Sequence, residues 1–217
     1  MILYNPVDGD VFTSHFIFRP RTCFVMTKLG ASISPEIIEI RSRLEQSLIR
    51  HSILEIDASS VVTGRDFLNK IWSIIIAVPL GIAIINRNLP KKTLANIFYE
   101  IGLLQAYGKE TLVIKTSNSS IPSDFVRTEY LEYNSKFDDN IEKYFTTFFS
   151  YSDYYEEMAD QLENDPLLAI DYLRRAYLIT GEDKYRKKAK RIFTSSPMPQ
   201  RARNSVEMLL IHFALNT

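Results

Sequence analysis

The residues best suited to do chemistry lie in one helical stretch, Thr93 to Lys109, TLANIFYEIGLLQAYGK. Ile97, Ile101, Leu103 and Leu104 recur there at helical spacing and are available to a core. Glu100 sits among them, next to Tyr99 and four residues after Asn96, so the amide and the carboxylate share one face. A carboxylate beside an apolar stripe costs stability, because its oxygens lose water there. Either a site asks for Glu100, or the side chain reaches out to water or pairs with a lysine. Asn96 either serves that site or marks the helix start, and Tyr99 either faces a ligand or fills core.

Other reactive groups gather at what read as strand ends. Thr27, Lys28 and Gly30 follow the apolar run Thr22-Cys-Phe-Val-Met26. Asp57 closes a second run and Asp66 precedes a helix, where it is as well suited to capping as to binding. Arg65 either meets an anion or lies in solvent. Asn86 and Arg87 follow a third run, with Lys91 and Lys92 close behind. Ser123, Asp124 and Arg127 either close a cleft or make the turn after Pro122. No G-x-G-x-x-G follows the first strand, and no phosphate loop of the G-x-x-x-x-G-K-[ST] kind, nucleophile elbow or H-E-x-x-H occurs. Chemistry, if there is any, rests on carboxylates, hydroxyls, amides and a few cations. One cysteine, Cys23, and three scattered histidines argue against a Cys/His zinc site and exclude an internal disulfide; no metal is expected.

These groups need elements to hold them. Strand-like runs at Thr22–Met26, Ser52–Ile56, Leu80–Ile85 and Glu110–Lys115 alternate with helical patterns at Pro35–Arg50, Asp66–Val78 and the quoted stretch. Arg127 to Tyr133 reads as a fifth strand. Ser34-Pro35 supplies a cap and a first turn for the first helix. The third run, LGIAII, does not alternate, as expected of a strand covered on both faces. This order predicts an α/β fold, a flavodoxin-like doubly wound parallel sheet of about five strands. Ligands then bind beyond the carboxyl ends of the strands, where the reactive groups cluster.

The domain is expected over residues 21–150, after an N-terminal extension at 1–20. A small C-terminal α-helical appendage takes 151–217. In it Asp165-Pro166 opens a helix, Gly181 ends it, and a basic helix, Lys184 to Phe193, follows, making one hairpin of the tetratricopeptide kind. A last helix is expected over about Ala202–Leu215. The appendage serves packing or self-association, or else binds a partner.

The 217 residues carry 26 basic and 26 acidic side chains, a formal charge of zero, which gives no electrostatic case for nucleic acid or a membrane surface. The basic run KYRKKAKR either contacts phosphates or, as is more common for such runs, is a solvated helix face. The apolar run Ile74–Ile85 is too short for a bilayer and holds Pro79 and Gly81. No leader is expected, and the cytoplasm is the expected location.

The segment LGIAIINRNLPKKTLANIFYEIGLLQAYGKETLVIKT, Leu80 to Thr116, resembles the core of the bacterial TIR-like and nucleoside 2-deoxyribosyltransferase-like proteins. Their N-x-F-Y-E-[LI]-G motif is matched by Asn96-Ile-Phe-Tyr-Glu-Ile-Gly102, and their A-x-G-K by Ala106-Tyr-Gly-Lys109. CFVMTKLG and IPSDFVRTEYLEY are similar to their opening and closing strands, so the likeness covers roughly residues 22–135. It implies that Glu100 is catalytic in cleaving an N-glycosidic bond. It also implies that Asn96, Tyr99, Asp57, Thr27, Lys28, Gly30, Arg65, Asn86, Arg87, Ser123 and Asp124 bind the substrate. Many relatives carry an aspartate after the third strand where Asn86-Arg87 stands here. The basic loop Arg87, Lys91, Lys92 suits NAD or another phosphate-bearing nucleotide better than a neutral nucleoside.

The expected activity is thus a TIR-like N-glycosidase that hydrolyses or cyclises NAD or a related nucleotide, in bacterial antiviral defence. The nucleotide is substrate, and no cofactor is expected. Self-association through the C-terminal helices and a defence-system partner are implied as well. The alternative is a non-catalytic nucleotide-binding sensor or scaffold of the same fold.

Overall fold

A computed structural model describes residues 17–30, 33–59, 67–117, 119, 121, 129–162, 164–211 and 213. Five strands form one all-parallel sheet: β1 (Thr22–Met26), β2 (Leu54–Ile56), β3 (Leu80–Ile85), β4 (Glu110–Lys115) and β5 (Glu129–Glu132), in the order β2-β1-β3-β4-β5. The doubly wound α/β expectation is met, with the flavodoxin-like order. β1 and β3 are buried at every residue, and the edge strands β2 and β5 are partly exposed. An apolar run without alternation is what a strand sandwiched between two helical layers requires.

Helices α1 (Pro35–Arg50), α2 (Phe67–Ala77) and α3 (Lys91–Ala106) make the crossovers. Right-handed connections in this strand order put α1 on one face and α2 and α3 on the other, and α2 packs on α3. Ser34 caps α1, its Oγ accepting from the Ile37 amide at 3.4 Å, with Pro35 in the first turn. α3 lies tight against β3 because Gly81 has no side chain. A Cβ there would stand 2.2 Å from Leu104 Cδ1, inside any real contact.

Several sequence boundaries are corrected. β2 begins at Leu54 rather than Ser52, because α1 unwinds through Ser52 (φ 53) in a turn whose amides reach back to Ile49 and Leu48 carbonyls. α2 ends at Ala77, and β5 ends at Glu132. α6 (Asp183–Ser195) is longer than the basic run, and α7 (Gln200–Leu210) begins two residues before Ala202, while the expected helix end at Leu215 lies outside the described residues. The sequence reading assigns nothing between Tyr133 and Asp165, yet α4 (Phe137–Gln161) fills most of that span. Its aromatic and hydroxyl residues are mediocre helix formers, so packing rather than propensity makes this helix.

The chain divides into two compact units. One is Arg21–Thr146; the other is Thr147–Thr217 with the described residues up to Pro20, so the boundary falls inside α4. In the second unit α5 (Pro166–Thr180) is capped by Asp165 and ended at Gly181, and packs against α6 and α7. Asp171 is buried there between Arg174 and Arg175. Most of the α6 cations are spent within the unit, with Lys184 and Lys188 paired to Glu156 and Lys187 to Asp183. No helix among the described residues is long and apolar enough to cross a membrane.

Within the α/β unit, α1 is fastened to the start of α4 through Glu142. Its carboxylate accepts from Ser47 Oγ (2.8 Å), from Arg50 (2.5 Å) and from His51 Nε2 (2.7 Å). Burial pushes the Glu142 carboxyl up, but the bonds from Arg50, Ser47 and His51 outweigh it and hold the group down at about 2. A carboxyl depressed on folding adds stability that is present above its unfolded value and fades as the pH drops toward its folded one. Glu142→Gln is therefore expected to lower Tm at neutral pH, with the deficit shrinking from about pH 4.5 downward. Thermal melts across that range check it; a deficit independent of pH would refute the ionic clamp.

Candidate active site

β1 and β3 are neighbours whose following chains part, β1 leading through α1 to β2 and β3 through α3 to β4. Such a divergence opens a crevice at the carboxyl edge. The β1–β3 register sets Met26 opposite Ala83, so Thr27 stands level with Ile84 and Asn86 two residues further along the same edge. Both are buried, at 7% and 4% exposure. Thr27 Oγ1 and Asn86 Oδ1 have no hydrogen-bond partner among the described residues. Buried polar atoms are nearly always paired in folded chains, because leaving one unpaired costs about 1–3 kcal/mol.

The other end of the Asn86 amide is well held. Its Nδ2 donates to Ser34 Oγ and to Glu36 Oε2, each at 3.0 Å, tying the end of β3 to the first turn of α1. Glu36 is the carboxylate that the fold brings to this crevice, and the sequence reading did not single it out. Gly30, at φ +86, completes the turn after β1, a conformation that side chains disfavour. Lys28 lies between them, half-buried. At the end of β4, Thr116 and Ser119 are buried and share a 2.9 Å hydrogen bond between their hydroxyls.

Beyond β3 the surface turns basic. Arg87, Lys91 and Lys92 are exposed around the start of α3, whose cap residue Pro90 offers no side-chain hydrogen bond. Two lysines in a first turn meet the positive end of the helix dipole, an arrangement that favours an anion.

Glu100 stands elsewhere. The expected helix start at Thr93 is corrected to Lys91, so Glu100 is the tenth of sixteen residues and lies in the third turn, roughly 14 Å along the axis from the helix start. It is half-buried and has no hydrogen bond or ion pair among the described residues. Desolvation pushes its carboxyl up to about 7. Asn96 and Tyr99 are exposed on the same helix, and Leu103 is half-buried; the buried face is Ile97, Phe98, Ile101 and Leu104.

Asp57 ends β2 and is held within the chain. Its Oδ1 accepts from the Ser59 amide (2.9 Å) and hydroxyl (2.6 Å), and its Oδ2 from Arg41 (3.2 Å). Arg41 also pairs with Glu55, and these groups with Glu45 line an open cleft of about 370 Å³. Arg65, Asp66, Ser123, Asp124 and Arg127 lie outside the described residues. The fold therefore brings Thr27, Lys28, Gly30, Asn86, Arg87 and Asp57 to one edge of the sheet, with Asp57 already held by Ser59 and Arg41, and sets Glu100 apart from them. Comparison with protein-family models, curated proteins and solved structures gave no match. Among the described residues no group of three or more His, Cys, Asp or Glu side chains could hold a metal ion.

The Glu100 shift has a sign that can be tested. The carboxyl titrates near 4.5 in the unfolded chain and about 7 in the folded one. Between these the folded state binds more protons, so the group removes stability as the pH rises through that window and no more above it. Glu100→Gln is expected to be more stable than wild type at about pH 8, by on the order of 1 kcal/mol or more, and equal to it at about pH 4. Urea unfolding at both values checks this; an equal or less stable variant at about pH 8 would show that Glu100 is solvated.

Proposed function

We propose that the chain is a TIR-like N-glycosidase that cleaves NAD or a related nucleotide through Glu100. The observation that carries the reading is a half-buried carboxyl with no partner among the described residues, pushed up to about 7, inside Asn96-Ile-Phe-Tyr-Glu-Ile-Gly102. Breaking the C1′–N bond sends its electron pair out with the base nitrogen and leaves positive charge on the sugar. A dry carboxylate stabilises that charge, or bonds to C1′ as an ester. Water then attacks C1′, the electron pair of the ester bond returns to Glu100, and a proton passes to solvent. Two displacements give retention, as in retaining glycosidases. A nicotinamide leaving group departs neutral and needs no acid, which suits a lone carboxylate.

The basic start of α3 supports a phosphate-bearing substrate. The roughly 14 Å from there to Glu100 is a span for a dinucleotide rather than a nucleoside. A role in bacterial antiviral defence, in the cytoplasm and with assembly through the C-terminal helices, belongs to the same reading. Leu168, Met208 and Ile211 are exposed in that unit and available to a second copy.

A nucleotide-binding sensor without turnover is the second reading. It is favoured by the separation of Glu100 from the crevice where the unpartnered polar atoms lie.

A time course by HPLC and mass spectrometry separates the two. Purified protein at high concentration is incubated with NAD, NADP, ATP and nucleosides, beside Glu100→Gln. The glycosidase predicts base release by wild type that rises with pH through about 7, as Glu100 ionises. It predicts a loss of at least about a hundredfold in the variant. No release by either protein, even when oligomerisation is forced, together with a Tm raised by a nucleotide, would establish the sensor.

A further inference from the structure

We propose that the β1–β3 crevice binds the sugar of its ligand: Asn86 Oδ1 and Thr27 Oγ1 accept hydrogen bonds from neighbouring ribose hydroxyls, and Glu36 fixes Asn86 in the orientation that does so. The assignment rests on the nucleotide reading above for the class of ligand and on the geometry for the part of it that sits here.

An asparagine amide offers donors at one end and an acceptor at the other, and which end faces a site decides what the site takes. In this crevice the choice is fixed. A carboxylate only accepts, so Glu36 Oε2 at 3.0 Å demands the NH2 end of Asn86, and Ser34 Oγ takes its second proton at 3.0 Å. The oxygen end therefore faces away from those donors' partners on α1, buried and without a partner among the described residues. On the neighbouring strand, two residues back along the same edge, Thr27 Oγ1 is buried and without a partner among the described residues too.

A phosphate fits poorly against this pair. It brings only acceptors to Asn86 Oδ1 and its charge lies near Glu36. A hydroxyl fits well, because it can donate to Asn86 Oδ1, and a neighbouring one can donate to Thr27 Oγ1. Two adjacent hydroxyls satisfy both orphaned atoms at once. A flat base would want an aromatic face, and Thr27, Ser34, Glu36 and Asn86 supply none. Phosphate is left to the exposed Arg87, Lys91 and Lys92 at the next loop. The crevice thus sorts a nucleotide along its length, with sugar at the strand ends and phosphate at the start of α3.

The test is equilibrium binding by isothermal titration calorimetry, with adenosine, 2′,3′-dideoxyadenosine, purine riboside and inorganic pyrophosphate as probes. Wild type is expected to bind adenosine and purine riboside alike, and dideoxyadenosine roughly tenfold or more weaker. Asn86→Leu is expected to lose a similar factor for adenosine and nothing further for the dideoxy compound. Glu36→Gln frees the amide to turn over, so adenosine should weaken and pyrophosphate should gain. Thr27→Val keeps the shape and removes the orphaned hydroxyl. It should bind adenosine less well while its Tm rises by roughly 2–4 °C, a pairing that a misfolded variant does not produce.

Dideoxyadenosine binding as tightly as adenosine would overturn the proposal. So would loss confined to purine riboside, which would make the base amine the donor, pyrophosphate binding that Asn86→Leu abolishes, or no binding by any probe. Glu100→Gln is expected to bind adenosine as wild type does. The predicted adenosine pattern without turnover leaves the sugar site standing and removes the glycosidase; turnover that needs Glu100 without that pattern does the reverse.

Discussion

The pairing of β1 with β3 is the contact on which the rest is arranged. Both strands are buried end to end, so neither can shift by a residue without moving a full row of side chains out of its layer. That register brings Thr27 and Asn86 to one edge and puts the divergence of the following chains directly beyond them. The same strand carries Gly81, whose missing side chain sets how near α3 can lie to the sheet. The floor of the crevice and the seat of α3 thus follow from a single register.

Two polar arrangements within the α/β unit contrast. The Glu142 and Asp57 carboxylates are each answered by neighbouring donors, and these groups hold elements together. At Thr27 Oγ1, Asn86 Oδ1 and the Glu100 carboxyl the polar atoms are answered by nothing among the described residues. Burial has already been imposed on these three groups without a return in hydrogen bonding or ion pairing at those atoms.

Much of the fold was legible in the sequence because its signals are local. Short β-rich runs marked β1, β3 and β4, with no alternation in β3, and Ser34-Pro35 marked the start of α1 where its cap is found. α4 was not legible, since its Phe, Tyr, Ser and Thr residues match no strong propensity and only the packed unit makes them a helix. The site was legible in part. Thr27 and Asn86 could be named as strand-end residues, but that Glu36 holds Asn86 required knowing that α1 begins beside β3. Fifty positions separate the two residues, and no pattern in the chain connects them. A glutamate in a first helical turn also has an ordinary reason to be there, which hides any second one. Glu100 was legible as a residue out of place among apolar neighbours, while its distance from the strand ends depended on a helix starting at Lys91.

The clamp at Glu142 also bears on the order in which the chain is assembled. The groups of the crevice floor, Thr27, Ser34, Glu36 and Asn86, are all present once the chain has been made as far as the end of β3. The bonds that fasten the far end of α1 reach across 91 to 95 positions, from His51 and Ser47 to Glu142. Contacts of such long separation close late, because the loop entropy must be spent before they return anything. A growing chain therefore carries the pieces of its crevice well before the helix that borders it is locked down.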